Sequence, residues 1–547
     1  MRSRRDWMKL ALMASTGLLT GKTISAAERT QPAGRQRESS GSRRKWGSGY
    51  EGQRKADRDD GTFLNPIMAG DYPDPTILKD GDDYYMTFTT FESYPGLIIH
   101  HSRDLVNWSA IGPAVVKPLG SVLAVDLCKH GGRYFIYMPI VATSVSTFTG
   151  RSRIFVTHAD RMSGPWSEPS PLEITNIIDP GHVAGEDGNR YLFTSGVNRV
   201  KLTPDGLAAD GSMEKVYDGW KYPDEWPTEA YALEGPKLLR RGDYFYLISA
   251  VGGTGGPPTS HMVIVARSRS IHGPWENCPH NPVVRTVSAD ETWWSRGHAT
   301  VVEGPNSNWF MVYHGIENGF RDLGRQTLLD PIEWTRDGWF RALGGDLSRP
   351  LRKPLQLAGQ SHGAALSDDF TSNRFGLQWN FHKPQPNEAL RVRYENGSLV
   401  ISGRGTSPTD SSPLACVVGD HAYEIAVDIE LGGAAEGGLL LYFNDRLYVG
   451  LSHDGTNMNT FRAGKRDRWR ENAPPMRSFR LRIVNDRHVV TMFYSPDGAR
   501  WIRHGLRQEV SGYHHNTGGE LVSVRPALYA GGSGECRFRN FSHRALT

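Results

Sequence analysis

Asp74, Asp126, Asp179, Glu234 and His298 precede the aromatic residues Tyr84, Tyr134, Tyr191, Tyr244 and Trp309 by 10, 8, 12, 10 and 11 positions. Carboxyl and imidazole groups are the side chains that most often take up and release protons in catalysis. A single acid ahead of a proline, as in Asp74-Pro75 or Asp179-Pro180, would by itself mark a turn. Five at matched offsets point instead to one shared site onto which all five side chains converge. Asp126 fills the second of the five slots, as either a lining or a structural residue.

Residues some fifty positions apart must be carried to that site by repeated elements. The aromatic markers recur at intervals of 50, 57, 53 and 65 residues, each inside a strand-like run such as Asp83-Tyr84-Tyr85-Met86 or Asn308-Trp309-Phe310-Met311. Echoes downstream, Asn107-Trp108, Gly164-Pro165-Trp166 and Gly273-Pro274-Trp275, mark the same place in successive units. Five sheet-forming units with no convincing helix predict a five-bladed β-propeller over 63–357, with the aligned slot on or ahead of each innermost strand. From 366 to 547 the pattern changes. Phe479-Arg480-Leu481-Arg482-Ile483 alternates apolar and basic residues, and Ser495-Pro496-Asp497-Gly498 supplies a turn, so a β-sandwich is expected. The chain is thus all-β. Residues 28–62, polar and interrupted by glycine, are expected to form a disordered linker.

The motifs also carry a resemblance. Asn65-Pro66 with Asp71-Tyr72-Pro73-Asp74-Pro75-Thr76, Ile178-Asp179-Pro180 with Glu186-Asp187-Gly188, Leu233-Glu234-Gly235-Pro236 and Gly297-His298-Ala299 occur in the order seen in glycoside hydrolase family 43. The region after 366 resembles the concanavalin-like sandwich appended in the β-xylosidase branch of that family. The resemblance implies an exo-acting, inverting hydrolase that removes β-D-xylose or α-L-arabinofuranose units from plant-type polysaccharides or oligosaccharides. Inversion needs a base for water and an acid for the leaving oxygen, roughly 6.5–9.5 Å apart. By resemblance Asp74 is the base, Glu234 the acid, and Asp179 a third carboxyl that orients Glu234 and raises its pKa by like-charge repulsion. Arg325, in Leu323-Gly324-Arg325-Gln326, resembles a late substrate-contacting arginine, although Gln326 stands where an acid often follows. Phe91 is a candidate apolar wall for the sugar or, equally, a core-packing residue. His298 is a candidate for substrate contact or for the neighbourhood of a structural calcium, and no cofactor is required for the chemistry. The long glycine-rich loop Gly252–Pro258 borders the blade of Glu234. The rival readings are a non-catalytic carbohydrate-binding propeller and a propeller glycosidase of other specificity, such as an arabinanase or galactanase. A retaining fructan-type enzyme is disfavoured, because its Glu-Cys motif is absent where Glu234 meets Gly235.

The chain has 547 residues, with 63 basic and 59 acidic side chains. Five of the basic residues and one acid fall in 1–27, leaving 58 of each in the remainder. A neutral body gives no electrostatic reason to expect nucleic acid or a membrane surface as partner; carbohydrate is the partner that the resemblance implies. Residues 1–27 read as an export signal: Arg4-Arg5 in a twin-arginine setting, the short apolar run Leu10–Leu19, and small residues at Ser25-Ala26-Ala27. A periplasmic or extracellular destination follows. The four cysteines make no metal motif, and Cys416 and Cys536 are candidates for a disulfide in an oxidising compartment. Replacing Arg4 and Arg5 together by lysine should leave the unprocessed precursor in the cytoplasm, as fractionation and immunoblotting would show. Normal processing of that double variant would refute the twin-arginine route.

Overall fold

Each of the five repeat units folds into an antiparallel meander of four strands, with the aromatic marker in the first or second position of its second strand. The computed structural model describes residues 46–357, 359–469 and 471–546. The expected export signal therefore lies outside the described residues. The first strands of the blades are Thr76–Asp80, Asp126–His130, Gly181–Ala184, Glu234–Arg241 and Trp293–Glu303. Each touches the next around a ring, and the last returns to the first. That closure is the expected five-bladed propeller. Strand Thr62–Phe63 pairs with Leu351–Arg352, and the side-chain amide of Asn65 bonds both backbone groups of Leu329, so the two ends of the propeller are stitched together.

The turn after each third strand is built from local polar contacts. In the first blade Asp104 accepts the backbone amides of Val106 and Asn107 at 2.9 and 2.7 Å, and Trp108 follows, fully buried. This is the physical content of the Asn-Trp echo in the sequence.

The C-terminal region is the expected β-sandwich. Strands Ala422–Asn444 and Arg525–Ala545 pair along their whole length and feed both sheets. Their first and last halves pair with different neighbours, Ser478–Asp486 on one side of a bend and Leu447–His453 on the other. At the bend Gly433 and Gly532 have φ of +62° and +75°, a region closed to most side chains. The core between the sheets includes Trp379, Ile425, Leu439, Leu481 and Phe538. Strand Ser478–Asp486 alternates buried and solvent-facing residues, as its sequence pattern requires.

Two expectations need correction. Residues 46–62 are not a free tether: Gly47–Ser48 pairs with Arg54–Lys55, and Arg54 is driven between the two domains. Its guanidinium meets Glu317 at 2.9 Å and Gln326 at 2.6 Å, and its amide donates to Asp420 at 2.8 Å. Nothing in the local sequence announces these contacts, because the partners lie hundreds of positions away. Cys416 and Cys536 are both buried and both free, so they form no disulfide.

The sandwich grips the loops that shape the top of the propeller. Ser93–Tyr94, from the first blade, pairs with Asn380–His382 of the sandwich. The Val524 amide donates to the Asp322 carbonyl at 2.7 Å, and Phe320 stacks on His421 with ring centroids 3.5 Å apart. Among the described residues no helix is long and apolar enough to cross a membrane.

Candidate active site

Asp74 and Asp179 stand just ahead of the first strands of the first and third blades, Glu234 opens that of the fourth, and His298 sits inside that of the fifth. The ring of first strands aims these four side chains at the axis. Asp74, Asp179 and His298 all have positive φ, +53°, +57° and +55°. Non-glycine residues held there cost on the order of 1–3 kcal/mol each, a strain that clusters at functional sites. Around His298 the pairing of the fifth blade's first two strands is irregular, which turns the imidazole inward.

The imidazole of His298 is the centre of the arrangement. Its Nδ1 lies 3.7 Å from Asp74 Oδ1, and its Nε2 lies 3.8 Å from Glu234 Oε1 and 4.0 Å from Asp179 Oδ2. Gly235 explains why the acid is followed by glycine: a Cβ at this residue (φ +60°) would fall 2.9 Å from His298 Nδ1. Burial alone would lower the pKa of His298, but Asp74, Glu234 and Asp179 outweigh it and raise it to about 9. The ring is therefore an imidazolium at neutral pH, and a positive charge is placed among three carboxyls.

Asp74 is held as a carboxylate. Burial works against its charge, yet Arg325, His298 and His314 keep its pKa well below the usual range. Arg325 Nη1 donates to Asp74 Oδ1 at 2.7 Å, and Thr89 Oγ1 donates to Oδ2 at 2.7 Å. His314 Nδ1 lies 3.0 Å from Oδ1, while its Nε2 lies 3.1 Å from Thr254 Oγ1. Burial and the Arg325 charge lower the pKa of His314 to about 4, so it is neutral. Nδ1 also lies 3.3 Å from the backbone amide of Asp74, so His314 meets both the main chain and the carboxylate of that residue.

Asp179 behaves differently. Burial raises its pKa, and the negative charges of Glu234 and Asp74 raise it further against the pull of His298. Its Oδ2 accepts the Gly235 amide at 3.2 Å, which ties it to the backbone directly after Glu234. The like-charge crowding expected around Glu234 registers on Asp179 itself. The side chain of Glu234 is 21 % exposed, against 6 % for Asp74 and 4 % for Asp179, so of the three it faces the pocket most openly.

The other candidates separate clearly. Arg325 joins the site through Asp74, and the half-buried ring of Phe91 lies 5.7 Å from its guanidinium. Asp126 does not join it: it pairs with buried Lys237 at 2.7 Å and accepts the His182 amide. Gln326 accepts from Arg54 and donates to Glu317 at 2.9 Å, so the acid wanted beside it comes from the neighbouring strand. The glycine-rich loop is tethered, with the Gly255 amide on Glu229 and Ser260 Oγ on the Gly252 carbonyl. His261, His314 and Thr89 were missed, because isolated residues in or beside strands carry no spacing signal.

Glu234, His261 and His298 place one ligand atom each within 4.8 Å of one another, a group of metal-binding size. Calcium takes six to eight oxygen ligands. Two imidazoles and one carboxyl do not supply that oxygen-rich set.

A propeller that focuses a depressed carboxylate and a more open carboxyl around one cation has the parts of a carboxylate-pair hydrolase. The comparisons with known proteins agree. The model for glycosyl hydrolases family 43 matches residues 63–340, and the β-xylosidase C-terminal concanavalin A-like domain matches 367–536. The chain is 32% identical over 373 residues to a non-reducing end α-L-arabinofuranosidase of Bacteroides ovatus, covering 64% of this chain and 67% of that protein. It is 30% identical over 381 residues to a xylan 1,3-β-xylosidase of a Vibrio species, covering 63% and 69%. A solved Bacteroides ovatus structure described as xyloglucan PUL GH43B superposes with a TM-score of 0.78 at 25% identity, over 89% of this chain and all of that one. The chain belongs to glycosyl hydrolases family 43 and is a glycosidase.

Replacing Arg325 by glutamine removes the nearest positive charge from Asp74, so the carboxylate should protonate at higher pH. The acid limb of the kcat/KM profile should then move up by about one to three pH units. A limb that stays in place would show that Asp74 is not the group titrating there.

Proposed function

We propose that the protein is an inverting, exo-acting glycosidase that releases single β-D-xylose or α-L-arabinofuranose units from plant-type polysaccharides or oligosaccharides. The observation that carries this reading is the placing of Asp74 and Glu234 on opposite sides of one imidazole, 3.7 and 3.8 Å from its two nitrogens. Inverting chemistry calls for two such carboxyls roughly 6.5–9.5 Å apart, with room for a water. The names of the relatives, arabinofuranosidase and xylosidase, supply the choice of pentose.

In this reading Asp74 takes a proton from water as it attacks the anomeric carbon, and Glu234 gives a proton to the departing oxygen. Asp74 is suited to the first task because Thr89 occupies Oδ2 with a single hydrogen bond, leaving acceptor capacity for water. Arg325 and neutral His314 hold the carboxylate in place. Asp179 fixes the backbone of the acid through Gly235. His298 keeps the three carboxyls from repelling one another, and Phe91 and Arg325 form the wall against which the sugar rests. Export through the twin-arginine route belongs to the same proposal and rests on residues 1–27.

The test is the anomer first released from an aryl β-xyloside or an aryl α-L-arabinofuranoside, read by NMR before mutarotation. The expected product has the inverted configuration. Asp74→Ala, Asp179→Ala and Glu234→Ala should each cut turnover by on the order of a hundredfold or more while the protein stays folded. A retained anomer, or activity of Asp74→Ala within a few-fold of wild type, would overturn the assignment.

A further inference from the structure

Residues 216–233 link the third and fourth blades without regular structure and end on Glu234, yet the chemistry above uses none of them. The segment is rich in aromatic residues that pack on one another. Tyr222 and Trp226 lie parallel with centroids 6.4 Å apart, Trp220 leans on Trp226 at 6.2 Å, and Arg285 caps Trp226 at 3.2 Å. Tyr231 closes the row, 5.7 Å from Tyr222, but unlike the others it is 44% exposed.

Tyr231 is held at both ends. Its hydroxyl donates to the Asp218 carbonyl at 3.0 Å, with that of Trp220 at 3.3 Å. Gly219, at φ +82°, makes room for it, since a Cβ there would stand 2.2 Å from the Tyr231 oxygen. With its hydroxyl committed to two carbonyls, what this exposed side chain has to offer is its ring. The residue borders a concavity lined also by Asn198, Lys215, Asp218, Leu233 and Glu234. The concavity reaches the acid without touching Asp74, Asp179, His298 or Arg325.

The general acid protonates the oxygen joining the released sugar to the rest of the substrate, so it stands at the boundary between the two. The base and its partners mark the side of the released sugar. We infer that the concavity beside Glu234 is the leaving-group site, and that Tyr231 is a specificity-determining platform on which the leaving sugar ring stacks. Lys215, Asp218 and Asn198 supply hydrogen-bonding groups for its hydroxyls at the rim. This rests on the glycosidase reading and deepens it: the favoured substrates are oligosaccharides with a sugar leaving group, over pentosides of small alcohols.

The experiment compares wild type, Tyr231→Ala, Tyr231→Leu and Tyr231→Phe on a pentose disaccharide and on the methyl pentoside of the same sugar and anomer. Tyr231→Ala should lose about tenfold in kcat/KM on the disaccharide, mainly through KM, and less than about twofold on the methyl pentoside. Tyr231→Phe, which keeps the ring, should restore most of the loss. Tyr231→Leu, which keeps bulk for folding but no flat face, should resemble the alanine variant. Equal losses on both substrates, or an unchanged KM for the disaccharide, would overturn the platform while leaving the hydrolase intact. Wild-type protein inert on every pentoside would bring down the glycosidase reading and the platform with it.

Discussion

One buried positive charge, on His298, is what the rest of the site depends on. Three carboxyls brought to a propeller axis repel one another strongly, because burial removes the water that would screen them. A cation 3.7–4.0 Å from each of them offsets that repulsion. Arg325 adds a second positive charge on the outer side of Asp74. The two cations are not shared equally. Asp74 touches both and stays ionised, while Asp179 has only the more distant imidazole and is pushed toward its neutral form.

The sandwich belongs to the same account. Arg325 opens a strand whose next residue, Gln326, sits in a buried network with Arg54 and Glu317, and His421 of the sandwich completes it. Phe91 lies on a loop whose continuation, Ser93–Tyr94, is a strand of the sandwich sheet. Both Arg325 and Phe91 are therefore anchored by contacts that cross between domains. Removing one partner from such a buried ionic network leaves the other charge uncompensated, which is far costlier than losing a surface pair.

The carboxyls were readable in the sequence because they carry local marks. Proline follows Asp74 and Asp179, Gly235-Pro236 follows Glu234, and the repeat sets all three in register. The propeller and the sandwich were readable from strand patterns for the same reason. Asp126 shows the limit of that signal: it shares the offset but meets Lys237, a partner only the fold brings near. His261 and His314 lie in or beside apolar strands, where a single histidine has no periodicity to betray it. Residues 46–62 looked like a tether because what holds them is ionic and remote, with Arg54 reaching Glu317 across 263 positions. Tyr231 was hidden in a stretch whose aromatic residues show no regular spacing.

The charge state of His298 is the most direct test of this account. Protein labelled with 15N in its histidines, compared with the His298→Gln variant to assign the ring, reports that state by NMR as pH is varied. The ring should remain an imidazolium through neutral pH and lose its proton only near 9. A His298 ring that is already neutral at physiological pH would mean that no cation balances the three carboxyls, and would contradict the account.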